Sequence, residues 1–183
     1  MGRREPGRTN GEEAKGRVLS RVQRADLAIL AGWLDDPTRF AEHDTPTRVP
    51  REDLERRFGD TGYDDRELTW RLIRAEDGAP AGLVSAAPGR GPGSVEIGFL
   101  LAESEARGQG LARRAVRELL AELFGDAANH EAVAYVHPDN TSSNRLLADL
   151  GFRVVGTAPK HRLVHGHWVD FQIHTLTSAD WRG

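Results

Sequence analysis

Apolar residues along this chain recur with two periods, and the switches between them mark out its elements. Arg17 to Val22, Leu68 to Arg74, Ala81 to Ala86, Val95 to Leu101, Ala132 to Val136, Phe152 to Val155 and Trp168 to Thr175 are short apolar runs that predict strands. Ala25 to Leu34, Arg51 to Phe58, Leu111 to Phe124 and Ser142 to Leu150 carry spacings of three and four that predict helices. In the third of these, Leu111, Ala115, Leu119 or Leu120 and Leu123 fall on one stripe with arginines opposite, so one face is expected to pack and the other to stay wet. Glu76-Asp77-Gly78 is a hairpin turn signal, while Pro88-Gly89-Arg90-Gly91-Pro92-Gly93-Ser94 reads as a flexible connection. Strands and helices alternate without an internal repeat, which predicts an α/β domain, a mixed sheet flanked by helices.

One junction in this pattern carries chemistry. The strand Val95 to Leu101 is followed by Glu105-Ala106-Arg107-Gly108-Gln109-Gly110-Leu111-Ala112-Arg113-Arg114, a glycine-rich turn that opens a helix. Unpaired N–H groups of a first helical turn converge on one spot, the macrodipole adds positive potential, and glycines leave room for an anion. The spacing excludes two common phosphate binders. A P-loop needs lysine after the second glycine, and the chain's lysines are Lys15 and Lys160. A Rossmann turn needs a third glycine where Arg113 stands.

The hexad Arg107-x-x-Gly110-x-Ala112 is similar to the pyrophosphate signature of the GNAT N-acetyltransferase superfamily, which lies between that family's fourth strand and third helix. A second block, Val133 through Asn140, Ser143 and Gly151-Phe152, resembles the family's strand, Asn-x-x-Ser and helix ending in Gly-Phe. Gly166-His167-Trp168-Val169-Asp170, with Asp26-Leu27-Ala28 and Trp33-Leu34-Asp35-Asp36-Pro37, resembles the ribosomal-protein-alanine acetyltransferase branch. The resemblance runs from about Arg17 to Trp181. It implies a mostly antiparallel sheet splayed between strands 4 and 5, and acetyl-CoA as acyl donor with coenzyme A as product. It also implies a domain over residues 17–183 behind a tail at residues 1–16.

The resemblance assigns roles residue by residue. Arg107, Gly108, Gln109, Gly110, Leu111 and Ala112 would hold the pyrophosphate, with Arg107 or Arg113 neutralising charge. Backbone groups of Phe99, Leu100 and Leu101 would pair with the thioester-bearing arm, and an N–H there would stabilise the oxyanion. Asn140 would contact the arm, or simply cap a helix, and Ser143 would lie near the departing sulfur. Many relatives place a tyrosine acid where this chain has Leu147, so Ser143, water or an unaided thiolate must serve instead.

A protonated amine must shed a proton before it attacks a thioester. Glu96 is the first candidate base because it interrupts an apolar strand beside the expected thioester; a solvent-facing glutamate on an alternating strand is the other reading. His137 is the reserve. Trp33, Trp168 and Asp170 are offered as an acceptor pocket, with core or rim packing as the other account of both tryptophans. Asp35, Asp36, Glu42 and Asp44 add an acidic cluster nearby. His161, His165 and His167 suggest a metal, but ligand helices and cysteines are missing and His165-Gly166-His167 suits a hairpin turn, so no metal is expected.

Composition narrows the function classes. The 183 residues suit one domain with its own core. Absence of cysteine removes disulfides and a thiol-acylated enzyme intermediate. A net charge of −3 gives no global pull toward nucleic acid or anionic membrane, and no run approaches the roughly 20 apolar residues of a span. A cytoplasmic protein is expected. Its acceptor would be a protein N-terminus, an aminoglycoside-like antibiotic, a polyamine or a small metabolite; a homodimer is compatible with the sequence. The alternatives are a catalytically weak acyl-CoA-binding module and, ranked last, ribosome or nucleic-acid association through the Arg-rich tail.

Overall fold

The computed structural model describes residues 16–40 and 49–183. The predicted tail, apart from Gly16, and the acidic positions Glu42 and Asp44 lie outside the described residues. Strands β1 (Leu19–Arg21), β2 (Thr69–Arg74), β3 (Pro80–Pro88), β4 (Ser94–Leu101), β5 (Glu131–Val136), β6 (Arg153–Val164) and β7 (His167–Thr177) form one sheet. Its order is β1-β2-β3-β4-β5-β7-β6. Helices α1 (Leu27–Asp35) and α2 (Arg51–Thr61) precede β2; α3 (Leu111–Phe124) joins β4 to β5, and α4 (Thr141–Asp149) follows β5.

Every pairing is antiparallel except β4 with β5, where the α3 crossover brings the chain back in the same direction. That parallel pairing is short. It covers Ser94↔Glu131, Val95↔Ala132 and Glu96↔Val133, and the remaining five residues of β4 face no strand on that side. The splay implied by the resemblance is therefore present, and it begins immediately after Glu96.

Alternation along the strands builds two cores. Ile73, Val84, Ile97, Ala132 and Ala134 face α3 and α4, meeting Leu111, Ala115, Val116, Leu119, Leu120 and Leu147. Leu72 and Leu83, paired across β2 and β3, face the other way and meet Leu27, Leu30 and Trp33 of α1 and Leu54 of α2. The α3 stripe is the one its periodicity predicts, with its helix bounds unchanged. Deleting a fully buried leucine such as Leu30 or Leu72 costs on the order of 2–5 kcal/mol.

Three local expectations are revised. The segment between β3 and β4 is a closed hairpin rather than a loose connection, because Gly89 N–H donates to Ser94 O and Ser94 N–H to Gly91 O, with Gly93 at φ 71°. Strand β6 runs to Val164, well past the predicted end at Val155. Its two register shifts, between Val154 and Gly156 and between Ala158 and Arg162, absorb Gly156, Pro159 and a left-handed Lys160, so pairing with β7 resumes beyond residues that would otherwise end a strand. The predicted first helix splits into a short 3-10 turn at Arg24–Asp26 and α1 proper.

Candidate active site

The turn entering α3 is held open at its N-terminus. Gly108 and Gly110 take φ values of 76° and 71°, a left-handed conformation that side chains resist. A Cβ built on either would meet nothing within 4 Å, so the space before them is empty of protein. The first bond into the helix is from Arg114 N–H to Gly110 O. Among the described residues no acceptor takes the amides of residues 108–113, which leaves a group of donors at the positive end of α3. This donor set fits a pyrophosphate.

Arg107 sits between this turn and β4. Its guanidinium donates to Leu101 O at 3.3 Å and to Arg39 O at 3.4 Å. Arg39 in turn donates to Ala102 O at 3.0 Å and pairs with Glu103 at 2.6 Å, and Trp33 Nε1 donates to Glu103 at 2.8 Å. The Trp33 indole and Arg39 together hold the Glu103 carboxyl below the usual carboxylate range. This network anchors the end of β4 that has no β5 neighbour. Arg113, by contrast, is engaged by Asp149 on α4.

The open edge of β4 presents specific groups. Ala102 N–H donates to Ala81 O, so by antiparallel alternation the even residues turn their backbone groups to β3. The amide and carbonyl of Phe99 and the amide of Leu101 then face the gap, whereas the Ile97 amide belongs to the last parallel pairing with Val133, Leu101 O accepts from Arg107 and the backbone of Leu100 is committed to β3.

A cleft of about 180 Å³ occupies this gap. It brings together Glu96, Phe99, Asn140, Ser143 and His137, five residues singled out in the sequence, from β4, β5 and the entry to α4. Asn140 caps α4, its Oδ1 accepting from Ser143 N–H at 3.1 Å and Ser142 Oγ at 3.0 Å. Capping engages the carbonyl oxygen, and among the described residues no acceptor engages the amide nitrogen of Asn140. Glu96 is half-buried, and among the described residues no donor engages its carboxylate. The same holds for the Ser143 hydroxyl. His137 Nδ1 accepts from Asp139 N–H at 3.1 Å, a local contact across Pro138.

The proposed acceptor trio is not brought together. Trp33 is 3% exposed in the core under α1 and lines neither cavity near Glu96. Its indole faces inward because α1 buries that stripe on Leu72 and Leu83. Trp168 is 62% exposed on the last hairpin, and Asp170 accepts from Lys160 N–H at 2.8 Å, fastening the β6 bulge. The histidine trio is dispersed in role: His161 stacks on Tyr135 with ring centroids 4.2 Å apart, His165 takes the left-handed turn position, and His167 opens β7.

Residues absent from the sequence reading complete the surroundings. Tyr135, Phe171 and Arg162 line the cleft with Ser85. Arg162 lies 5.5 Å over Phe171 and Arg90 lies 5.8 Å over Tyr135. Burial, then the Arg162 and Arg90 charges, hold His161 below the ordinary imidazole range. Beneath α4, His174 is 2% exposed, and its Nε2 lies 2.9 Å from Asn144 Oδ1. Asn144 spends its amide protons on His137 O and Pro138 O, so Oδ1 must accept and His174 must carry its proton on Nε2. Alternation would have flagged Tyr135 as a position on the opposite face from Ala134. Nothing local signals His174 or Asn144. No helix among the described residues is long and apolar enough to cross a membrane.

Known proteins share this fold. The chain is 33% identical over 75 residues to the ribosomal protein uS5-alanine N-acetyltransferase of Escherichia coli, a stretch that is 41% of this chain and 39% of that protein. Curated relatives are matched over 39 to 46% of their own length. A Vibrio cholerae spermidine N-acetyltransferase solved with CoA and spermine superposes with a TM-score of 0.76 at 18% identity, over 88% of this chain and 95% of that one. A ribosomal-protein-alanine N-acetyltransferase from Brucella melitensis gives 0.73 at 23% identity, over 87% and 98%. The model of the acetyltransferase (GNAT) domain matches residues 17–153, a stretch holding the glycine turn, the splay and the Asn140 cap, and this chain belongs to that family.

Proposed function

We propose that the protein is an acetyl-CoA-dependent N-acetyltransferase that passes an acetyl group to a primary amine by direct attack in a ternary complex. The observation that carries this reading is Glu96, a half-buried carboxylate without a protein donor among the described residues, placed where β4 parts from β5. The amides of residues 108–113 hold the pyrophosphate, with Arg107 adding charge close by. Backbone groups of Phe99 and Leu101 pair with the thioester-bearing arm as a neighbouring strand would. The Phe99 amide is positioned for the oxyanion. The Vibrio cholerae neighbour of the same fold was solved with CoA, which supports CoA as the coenzyme.

Glu96 accepts a proton from the bound ammonium, whose ordinary pKa is about 10. The freed lone pair attacks the acetyl carbon, the carbonyl electrons move onto oxygen, the nitrogen sheds its second proton to solvent, and the returning electrons expel the coenzyme thiolate. Ser143, at the start of α4, faces the departing sulfur and donates to it. Leu147 is fully buried in the core and takes no part. A thiolate with a pKa of roughly 8.5 is a tolerable leaving group near neutrality.

Leu147 also motivates a second reading, an acyl-CoA-binding module with little turnover. Thiol release from acetyl-CoA across amino acids, peptides, aminoglycosides and polyamines separates the two, with an Arg107→Ala/Gly110→Val double variant as control. Acceptor-dependent release lost in the variant supports the transferase; coenzyme binding with no release for any amine supports the module.

A further inference from the structure

Among the described residues, helices cover only half of the second sheet face. Helices α1 and α2 pack over β2, β3 and the end of β4, and the part over β4, β5 and β7 is open as a groove of about 360 Å³. Its floor is Val133, Tyr135 and Ile173, and one wall is the closed hairpin carrying Arg90. Glu96 and Tyr135 line both this groove and the cleft in the splay, so the two cavities meet at the carboxylate.

Glu96 and Arg90 share this groove without closing on each other. Arg90 is exposed and rests against the Tyr135 ring, with no ion pair to Glu96 or to any other described residue. Glu131, the other acid in the groove, already accepts from Ser94 Oγ at 3.0 Å. The hairpin bonds at Gly89 and Ser94 hold the Arg90 backbone in place, and its guanidinium lies over the Tyr135 ring on the floor. A ligand that satisfies both charges must carry a cation for Glu96 and an anion for Arg90, with an apolar part that covers Val133 and Ile173. The volume suits a small molecule.

The geometry points to an amine acceptor that bears its own carboxylate, an α-amino acid with an apolar or aromatic side chain, with Arg90 as the residue that selects it. This rests on the transferase reading and names its substrate class. The amine lies at Glu96, facing the thioester across the junction of the two cavities, and the carboxylate lies under the Arg90 guanidinium, which can hold it through two parallel N–H donors. A polyamine offers Arg90 a second cation, and a simple alkylamine offers it nothing.

The test pairs each amino acid with its decarboxylated amine, L-phenylalanine against phenethylamine and L-leucine against isoamylamine, with spermidine and an alanine-ended peptide alongside. Thiol release is followed in wild type, Arg90→Gln and Arg90→Glu, all at an exposed loop position that leaves the core untouched. Calorimetry of L-phenylalanine binding to the coenzyme-loaded protein runs in parallel. The expected result is a kcat/KM at least tenfold higher for the amino acid than for its amine, lost in Arg90→Gln and reversed in Arg90→Glu. Faster turnover of spermidine, of the peptide or of the bare amines by wild type overturns the assignment, as does a preference that survives Arg90→Gln. Amino-acid binding that Arg90→Gln weakens tenfold, without thiol release, keeps the binding assignment and sinks the transferase reading. Neither binding nor release sinks both.

Discussion

The two halves of the site are built by different means. The half assigned to the coenzyme is made of backbone: six amides at the start of α3 and the unpaired edge of β4, each within a single contiguous stretch. The half proposed for the acceptor is made of side chains, with Arg90, Glu96, Tyr135 and Phe171 arriving from four separate segments and His161 stacked on Tyr135. A backbone site tolerates sequence change around a few glycines, whereas a side-chain site is rewritten by any one substitution. The difference explains how one fold keeps a donor and changes acceptors.

The comparison predicts where substitutions will act. Glu96→Gln, at the seam of the halves, should lower kcat by about 10²-fold or more while leaving the acetyl-CoA dissociation constant within a factor of two. Calorimetry with the coenzyme beside a thiol-release assay checks both numbers, and a variant that turns over normally removes Glu96 from the mechanism. Gly110→Val should act on the other half alone. It places a branched side chain where the anion must sit and forces a left-handed position, so coenzyme affinity should fall by about tenfold or more with little change in acceptor KM.

Trp33 tests the boundary from outside. Trp33→Phe keeps most of the packing but removes the indole donor to Glu103, an expected loss of about 1–3 kcal/mol in stability. Acceptor KM should not move, and a rise of tenfold would return Trp33 to the acceptor site.

The smallest effect concerns the layer beneath α4. His174 is held neutral by burial, with its pKa depressed below the unfolded value. The unfolded chain therefore binds the proton first as pH falls, and stability should decline below about pH 6.5, the ordinary imidazole value. Thermal unfolding between pH 7.5 and 5 should show a drop of a few degrees. That drop should shrink in His174→Gln, which can still donate to Asn144.

Much of the backbone half was legible because its signals are local. Glycines at fixed offsets, a strand before them and an amphipathic stripe after them specify the α3 turn without knowledge of the rest of the chain. The Asn140 cap is equally local, with its acceptor and donor three residues apart. The acceptor half was not legible. Tyr135 meets His161 only because β6 pairs with β7 across two bulges, and no periodic pattern encodes that register. Trp33 shows the same limit in reverse, since an aromatic on an amphipathic helix reads alike whether its face meets a core or a cavity. Arg90 was hidden by its own loop, whose glycines and prolines suggested looseness where hydrogen bonds close a hairpin.

The most direct test of the division between the halves is a crystal structure of the protein with coenzyme A. The account predicts the pyrophosphate within hydrogen-bond distance of the amides of residues 108–113. It places the arm along Phe99 and Leu101, and the sulfur between Glu96 and Ser143. Coenzyme bound in the Arg90 groove, or a β4 edge closed by strand pairing beyond Glu96, would contradict it.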